Sequence, residues 1–143
     1  MGNAEYAAGV RPERTYDKGE RRFKHVGNVA EAVIKFDDRN PRHWWGECPN
    51  NLRAADHTSL LNEAIAAPNG DREIDFPKRV FTVHEGAIYR AETTDWGRSY
   101  HGYPFRGKLG KAILAELGAI ADKKGCRAKF DDWMKMHIEV HGR

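Results

Sequence analysis

Alternating side chains mark one long stretch of this chain, Lys78 to Phe105, and that pattern limits what the chain can fold into. β-Branched and aromatic residues recur there at every second position in two short runs, as they do in half-buried strands. Between the two runs lies Glu85-Gly86, and Gly86 can take the positive φ that a tight hairpin turn requires. The stretch therefore predicts an antiparallel hairpin closed by a two-residue turn.

The choice of turn sets the predicted register of the hairpin, because a slip of one residue would exchange its two faces. Val83 then pairs with Ile88, and Phe81 pairs with Arg90. The face that carries Phe81, Val83 and Ile88 is predicted to be the core face. The opposite face carries Val80, Thr82, His84, Ala87, Tyr89 and Ala91.

A third strand is predicted over Arg98 to Phe105, after a turn at Asp95-Trp96-Gly97. Pro104 cannot donate a hydrogen bond to a neighbouring strand, so it places this strand at an edge of the sheet or ends it. Residues 73–77 are the candidate for a short fourth strand. The predicted sheet is therefore a small antiparallel meander.

Helical periodicity predicts about four helices around this sheet. They cover residues 29–36, 53–66, 107–124 and 129–140. Asn28 is the expected cap of the first, although VIKF at 33–36 also fits a strand, and Gly125 ends the third. The predicted fold class is α+β: an antiparallel sheet of three or four strands, with two N-terminal helices and two C-terminal helices packed on one face.

The length of 143 residues is that of one domain. Residues 1–24 contain few apolar side chains, so this basic segment is predicted to be flexible. Residues 25–143 are predicted to form a single α+β domain. The boundary falls just before the first residues with a periodic pattern.

Cysteine usage and hydropathy bear on the compartment. The chain has no apolar run of about 18 residues, so no transmembrane helix and no membrane partner are expected. The first residues lack the basic start and apolar core of a secretory signal. Cys48 and Cys126 are then interpreted as reduced thiols in a cytoplasmic protein, with a single bridge between them as the alternative.

Positive charge is unevenly distributed along the chain. The net charge is +3, yet residues 96–130 hold 8 Lys or Arg against 2 Asp or Glu. Such a block, interleaved with aromatic residues, favours an anionic partner such as RNA, single-stranded DNA or another polyanion. The alternative is a solvated helix face rich in lysine. The candidate binding residues are Trp44, Trp45, Trp96, Arg98, Tyr100, Tyr103, Arg106 and Lys108.

The adjacent tryptophans Trp44 and Trp45 support a different hypothesis. Neighbouring residues of a strand point to opposite faces, so both rings cannot enter one core. An exposed ring here could contact a protein partner, which makes a protein-interaction module a further hypothesis. The alternative is one ring in the core and one covering a loop.

Catalysis is the remaining hypothesis, in the form of a metal-independent, ribonuclease-like hydrolase. Such an enzyme needs a base, an acid and cations that meet the developing phosphate charge. The candidate catalytic residues are His84, Glu85, Arg90 and His101. The cysteines and histidines do not have the paired spacing of zinc ligands, so no metal site and no cofactor are expected. Whether the chain is an enzyme stays open on this pattern.

Overall fold

A computed structural model describes residues 14–16, 26–67 and 76–141 of the chain. These ranges contain three helices and eight strands, which make the fold α+β. In chain order they are β1 (Val33–Phe36), β2 (Trp44–Glu47), α1 (Ala54–Glu63), β3 (Ile65–Ala66), β4 (Arg79–His84), β5 (Ala87–Glu92), β6 (His101–Pro104), β7 (Gly107–Gly110), α2 (Lys111–Lys124), α3 (Arg127–His137) and β8 (Ile138–His141).

The strands form three separate sheets. The largest is antiparallel, with its four strands in the order β3-β4-β5-β6. β1 and β2 form an antiparallel pair, whereas β7 and β8 form a parallel pair. The parallel pair needs a long crossover, which α2 and α3 supply.

The predicted hairpin and its register are confirmed in β4 and β5. Val83 lies opposite Ile88, and Phe81 lies opposite Arg90. The two-residue turn has Glu85 at φ 48° and Gly86 at φ 90°. Positive φ at both central residues is typical of a type I′ turn, whose twist matches that of the flanking strands.

Gly86 is required at this turn for a second reason. A Cβ atom there would lie 2.3 Å from Cβ of Lys129 on α3, closer than two carbon atoms can approach. The hairpin tip therefore packs directly on the last helix, and this contact sets the position of His84 and Glu85 relative to α3.

The predicted core face of the hairpin packs against α2 and α3. The opposite face is buried as well, which was not predicted. Val80 is 0% exposed and lies in a second core cluster with Leu61 and Ala64, which cover that face from the side of α1. The main core includes Phe81, Val83, Ile88, Phe105, Leu114, Leu117, Phe130 and Trp133. The sheet is thus a middle layer with helices on both faces.

The predicted helix over residues 29–36 is wrong, and so is the predicted count of four helices. Val33–Phe36 is β1 and pairs with Trp44–Glu47. The β-branched side chains of Val33 and Ile34 favour an extended backbone, and the neighbouring tryptophan strand supplies hydrogen-bond partners. Pairing with one neighbouring strand, β2, therefore outweighed the local cap signal at Asn28.

Both C-terminal helices are shorter than predicted, for a shared reason. Residues 107–110 were expected to open the third helix, and residues 138–140 to end the fourth. Instead Gly107–Gly110 pairs in parallel with Ile138–His141, so α2 begins at Lys111 and α3 ends at His137. Strand pairing between distant segments replaced one helical turn at each site.

The fourth strand of the large sheet is also not the predicted one. Ile65–Ala66 pairs with β4, directly after α1. Of the candidate segment 73–77, Phe76 and Pro77 are described and lie outside any strand, whereas 73–75 fall outside the described residues.

Residues 14–16 belong to the segment 1–24 that was predicted to be flexible, and they are packed on the fold. Arg14 is 5% exposed, and its Nη1 donates hydrogen bonds to the carbonyls of Leu61 and Ala64 at 2.9 and 2.8 Å. The amide of Tyr100 donates to the carbonyl of Thr15. The remaining residues of that segment lie outside the described part of the chain.

Candidate functional site

The predicted acid–base histidines lie apart on the large sheet. His84 is at the hairpin tip opposite Ala87, and its Nε2 is 3.3 Å from a carboxylate oxygen of Glu85. His101 lies opposite Glu92, five residues further along β5 and on the other face of the sheet. Five residues of strand span about 17 Å. His84 and His101 therefore cannot act on one phosphate as base and acid.

Arg90, the remaining catalytic candidate, is held in a hydrogen-bond network on the His101 face. Its Nε donates to the Tyr103 hydroxyl at 2.8 Å, and that hydroxyl donates to Glu92 at 3.0 Å. The guanidinium also lies 4.6 Å from the ring centroid of Phe105. Burial raises the pKa of Tyr103 to about 12. These contacts give Arg90 and Tyr103 a structural role.

The two adjacent tryptophans occupy opposite faces of β2. Trp44 is half-buried and meets Phe105 edge-on, with ring centroids 6.1 Å apart. Trp45 is 38% exposed, and its Nε1 donates to Glu47 at 3.0 Å. One ring faces the core and the other faces solvent, so they do not form one contiguous patch.

The other predicted aromatic and basic residues before β6 are also dispersed. Trp96 is 81% exposed and Arg98 is exposed, both in the loop that joins β5 to β6. This loop is at the opposite end of β6 from Arg106. Tyr100 is 2% exposed and its hydroxyl donates to the carbonyl of Pro77, so its ring belongs to the interior.

Positive charge converges at one groove of about 1120 Å³, lined by residues of β1, β2, β7, β8 and the last turn of α3. Four cationic side chains line it: Arg42, Arg106, Lys108 and Lys135. Among the described residues that line the groove, Glu139 is the one acidic side chain. Three of the four cationic side chains are exposed, and only one carboxylate opposes them among these lining residues, so the groove is electropositive.

Arg106 is fixed in this groove by three contacts. Its guanidinium lies 5.0 Å from the ring centroid of Phe36, a cation–π contact. Its Nη1 donates to the carbonyl of Met136 at 2.8 Å and lies 3.3 Å from Nδ1 of His137. Phe36 is itself 43% exposed. The groove thus presents an oriented guanidinium beside an accessible aromatic ring.

Burial and the neighbouring charge of Arg106 both disfavour the charged form of His137 and so lower its pKa. A neutral imidazole can accept the Arg106 N–H at Nδ1 and then carries its own proton on Nε2. His137 therefore positions Arg106 while adding no positive charge of its own at neutral pH.

Several groove residues were missed by sequence reasoning: Phe36, Arg42, Lys135 and His137. They come from three separate segments, and no local pattern links them. The pairing of β1 with β2 and of β7 with β8 brings them together. The nearest signal in the sequence was the position of Arg42 two residues before Trp44.

The basic block at residues 96–130 divides in the structure. Lys124 pairs with Glu63, which joins the end of α2 to α1. Arg127 lies 3.1 Å from a carboxylate oxygen of Asp122 and 3.2 Å from one of Asp131. Part of the block is therefore neutralised locally, and the groove combines two cations of the block, Arg106 and Lys108, with two from outside it, Arg42 and Lys135.

Both cysteines are free thiols, so the alternative of a bridge between them is not realised. Cys48 is buried, and burial raises its pKa to about 12. Cys126 is half-buried. Within the described ranges, no three His, Cys, Asp or Glu side chains are grouped as the ligands of a metal ion would be.

Comparison with known proteins finds no matching family model, no matching curated protein and no matching solved structure. In the described part of the chain, no helix combines the length and apolar character needed to cross a membrane.

Proposed function

We propose that this protein binds single-stranded nucleic acid, RNA or DNA, in the electropositive groove. The observation that carries the proposal is the convergence of Arg42, Arg106, Lys108 and Lys135 around the exposed ring of Phe36. Cations that neutralise phosphates release counterions and so supply affinity without regard to sequence. An accessible aromatic ring beside them can stack on a base.

The aromatic residues favour a single strand over a duplex. Phe36 is partly exposed and offers ring surface to a flat partner, while the half-buried Trp44 packs on Phe105 and forms part of the groove wall. Base faces are available for such stacking in single strands and are covered by neighbouring base pairs in a duplex. The fixed guanidinium of Arg106 matches the planar, two-oxygen geometry of a phosphate.

The test is a fluorescence titration with a mixed-sequence RNA of about 12 nucleotides over a range of salt concentrations. The variant Lys108→Gln/Lys135→Gln removes two exposed groove cations. The slope of log K against log salt should fall in magnitude by about 1.4, since each phosphate contact on a single strand contributes about 0.7. The matched control, Lys111→Gln/Lys123→Gln, removes two exposed lysines of α2 that do not line the groove.

A second pair of variants separates stacking from charge. Phe36→Ala should weaken binding by about 1–3 kcal/mol with little change in the salt slope. Trp45→Ala removes an aromatic ring from the other face of β2 and should leave the affinity unchanged. Absence of binding at about 50 mM salt contradicts the proposed function, because counterion release is strong there. If the groove variant Lys108→Gln/Lys135→Gln and its control Lys111→Gln/Lys123→Gln lose equal amounts of salt slope, the nucleic acid does not bind in this groove.

A further inference from the structure

A second concavity, a pocket of about 400 Å³, adjoins the groove. Met136 and His137 line both. The pocket is also lined by residues 30–34, by the hairpin tip at residues 84–87 and by the side of α3 that carries Lys129 and Asp132. Its volume lies in the range of about 300–1,000 Å³ that small-molecule sites occupy.

The charge of the pocket is opposite to that of the groove. Three carboxylates line it, those of Glu31, Glu85 and Asp132, against the single ammonium of Lys129. A carboxylate oxygen of Glu85 lies 3.3 Å from Nε2 of His84, while Glu31 and Asp132 line the pocket and are exposed to solvent. A phosphate is therefore repelled from the pocket and attracted to the groove beside it.

The shared wall between the two sites suits a flat, uncharged ring. His137 lies against Trp133, with ring centroids 4.4 Å apart. Met136 is 63% exposed, and its flexible thioether can pack on an aromatic partner. A ligand that spans both sites needs an anionic part for the groove and a neutral, apolar-faced part rich in N–H donors for the pocket. A nucleotide has both parts within one residue.

We infer that the pocket receives one base of the strand whose phosphates lie in the groove, and that it selects bases with an exocyclic amino group. This inference rests on the proposed function. Carboxylates accept hydrogen bonds and cannot donate them when ionised. Cytosine presents an amino donor at the position where uracil presents the carbonyl oxygen O4. A carboxylate of Glu31 or Asp132 that faces this position accepts a hydrogen bond from cytosine and meets a second acceptor in uracil, whose own donor, N3–H, lies at the neighbouring ring position.

The test compares oligocytidylate with oligouridylate of about eight nucleotides, two pyrimidine strands of equal length and charge. Wild-type protein should bind oligocytidylate more tightly by about 5- to 150-fold, the range for a well-placed base contact. Glu31→Gln/Asp132→Asn replaces both carboxylates by amides that can donate to or accept from either base, and the preference should fall towards unity. Asp131→Asn is the matched control, because Asp131 is the adjacent carboxylate, pairs with Arg127 and does not line the pocket.

The outcomes separate the inference from the proposed function. If neither oligonucleotide binds at low salt, the proposed function fails and the inference fails with it. If the two oligonucleotides bind with equal affinity and with the salt dependence of a polyanion site, the proposed binding in the groove is supported. Base selection by the pocket is then overturned. If the preference for cytosine survives in Glu31→Gln/Asp132→Asn, or is lost equally in Asp131→Asn, the selecting groups are not the pocket carboxylates.

Discussion

His137 connects the groove to the adjoining pocket through a single ring. Its Nδ1 faces the guanidinium of Arg106 at 3.3 Å, and its other side lies against Trp133. Because the fold lowers the pKa of this histidine, the unfolded chain binds a proton more readily than the folded chain does. Protonation would place two positive groups in contact at the groove wall.

At the residue scale we therefore predict a pH dependence of stability with a defined sign. Well above pH 6.5, the ordinary pKa of the imidazole, His137 is neutral in both the folded and the unfolded chain. In that range it adds nothing to the pH dependence of stability. As the pH falls below 6.5 towards the lowered pKa of the folded state, stability is lost. The effect is measured by urea unfolding of wild type and His137→Gln at pH values above and below 6.5. The free energy of unfolding should fall more steeply with falling pH in wild type than in His137→Gln.

The control for this prediction is His43→Gln, because His43 is an exposed histidine outside the groove. Its pH dependence should match that of wild type. Identical slopes for wild type and His137→Gln would show that the contact with Arg106 does not depend on the protonation of His137.

At the scale of the element, α1 depends on contacts from elsewhere in the chain. It has 10 residues, and helices this short are marginal on their own in water. The buried guanidinium of Arg14 donates hydrogen bonds to the carbonyls of Leu61 and Ala64 and so supplies side-chain donors at the C-terminal end of the helix, where intrahelical donors run out. Thr82 donates to Glu63 at 2.8 Å and ties the helix to β4.

Arg14→Ala should therefore lower the free energy of unfolding by about 1.5–3 kcal/mol, the usual contribution of a hydrogen bond to a charged group. Thr15→Ala is the control, since the side chain of Thr15 is exposed and its carbonyl contact with Tyr100 is kept. Chemical denaturation of the two variants measures the difference. Equal stability would mean that residues 14–16 do not hold α1 in solution.

At the scale of the whole molecule, the large sheet is the layer on which the other parts are assembled. Its hairpin packs on α2 and α3 through one face and is covered from the side of α1 on the other. Leu117 is 0% exposed and lies in the main core together with Phe81, Val83 and Ile88, the predicted core face of the hairpin. The groove lies outside this core, on elements that the core holds in place.

Leu117→Ala should accordingly destabilise the fold by about 2–5 kcal/mol, because it removes a buried side chain and leaves a cavity. Glu116→Ala changes the adjacent exposed residue of α2 and should stay within about 0.5 kcal/mol of wild type. Thermal or urea unfolding distinguishes them. If Leu117→Ala lowers the free energy of unfolding by no more than Glu116→Ala does, the packing of α2 on the sheet is contradicted.

The sequence by itself determined the features that depend on neighbouring residues. Alternation in β4 and β5, with Gly86 free to take a positive φ, specifies the hairpin and its register. The stop at Gly125 likewise ends α2 as predicted, with φ at 72°. These features are local because backbone sterics and side-chain periodicity act over a few residues.

Only the tertiary structure decided the features that depend on distant partners. Residues 33–36 carry both helical and strand signals, and pairing with β2 selects the strand. Gly107–Gly110 and Ile138–His141 similarly become strands because each supplies hydrogen-bond partners to the other. The groove follows from these pairings, since they bring Arg42, Arg106 and Lys135 to one place. The charge block predicted an anionic partner. The interaction between charges depends on their distance in space and not on their separation along the chain, so the place where the partner would bind could be found only from the fold.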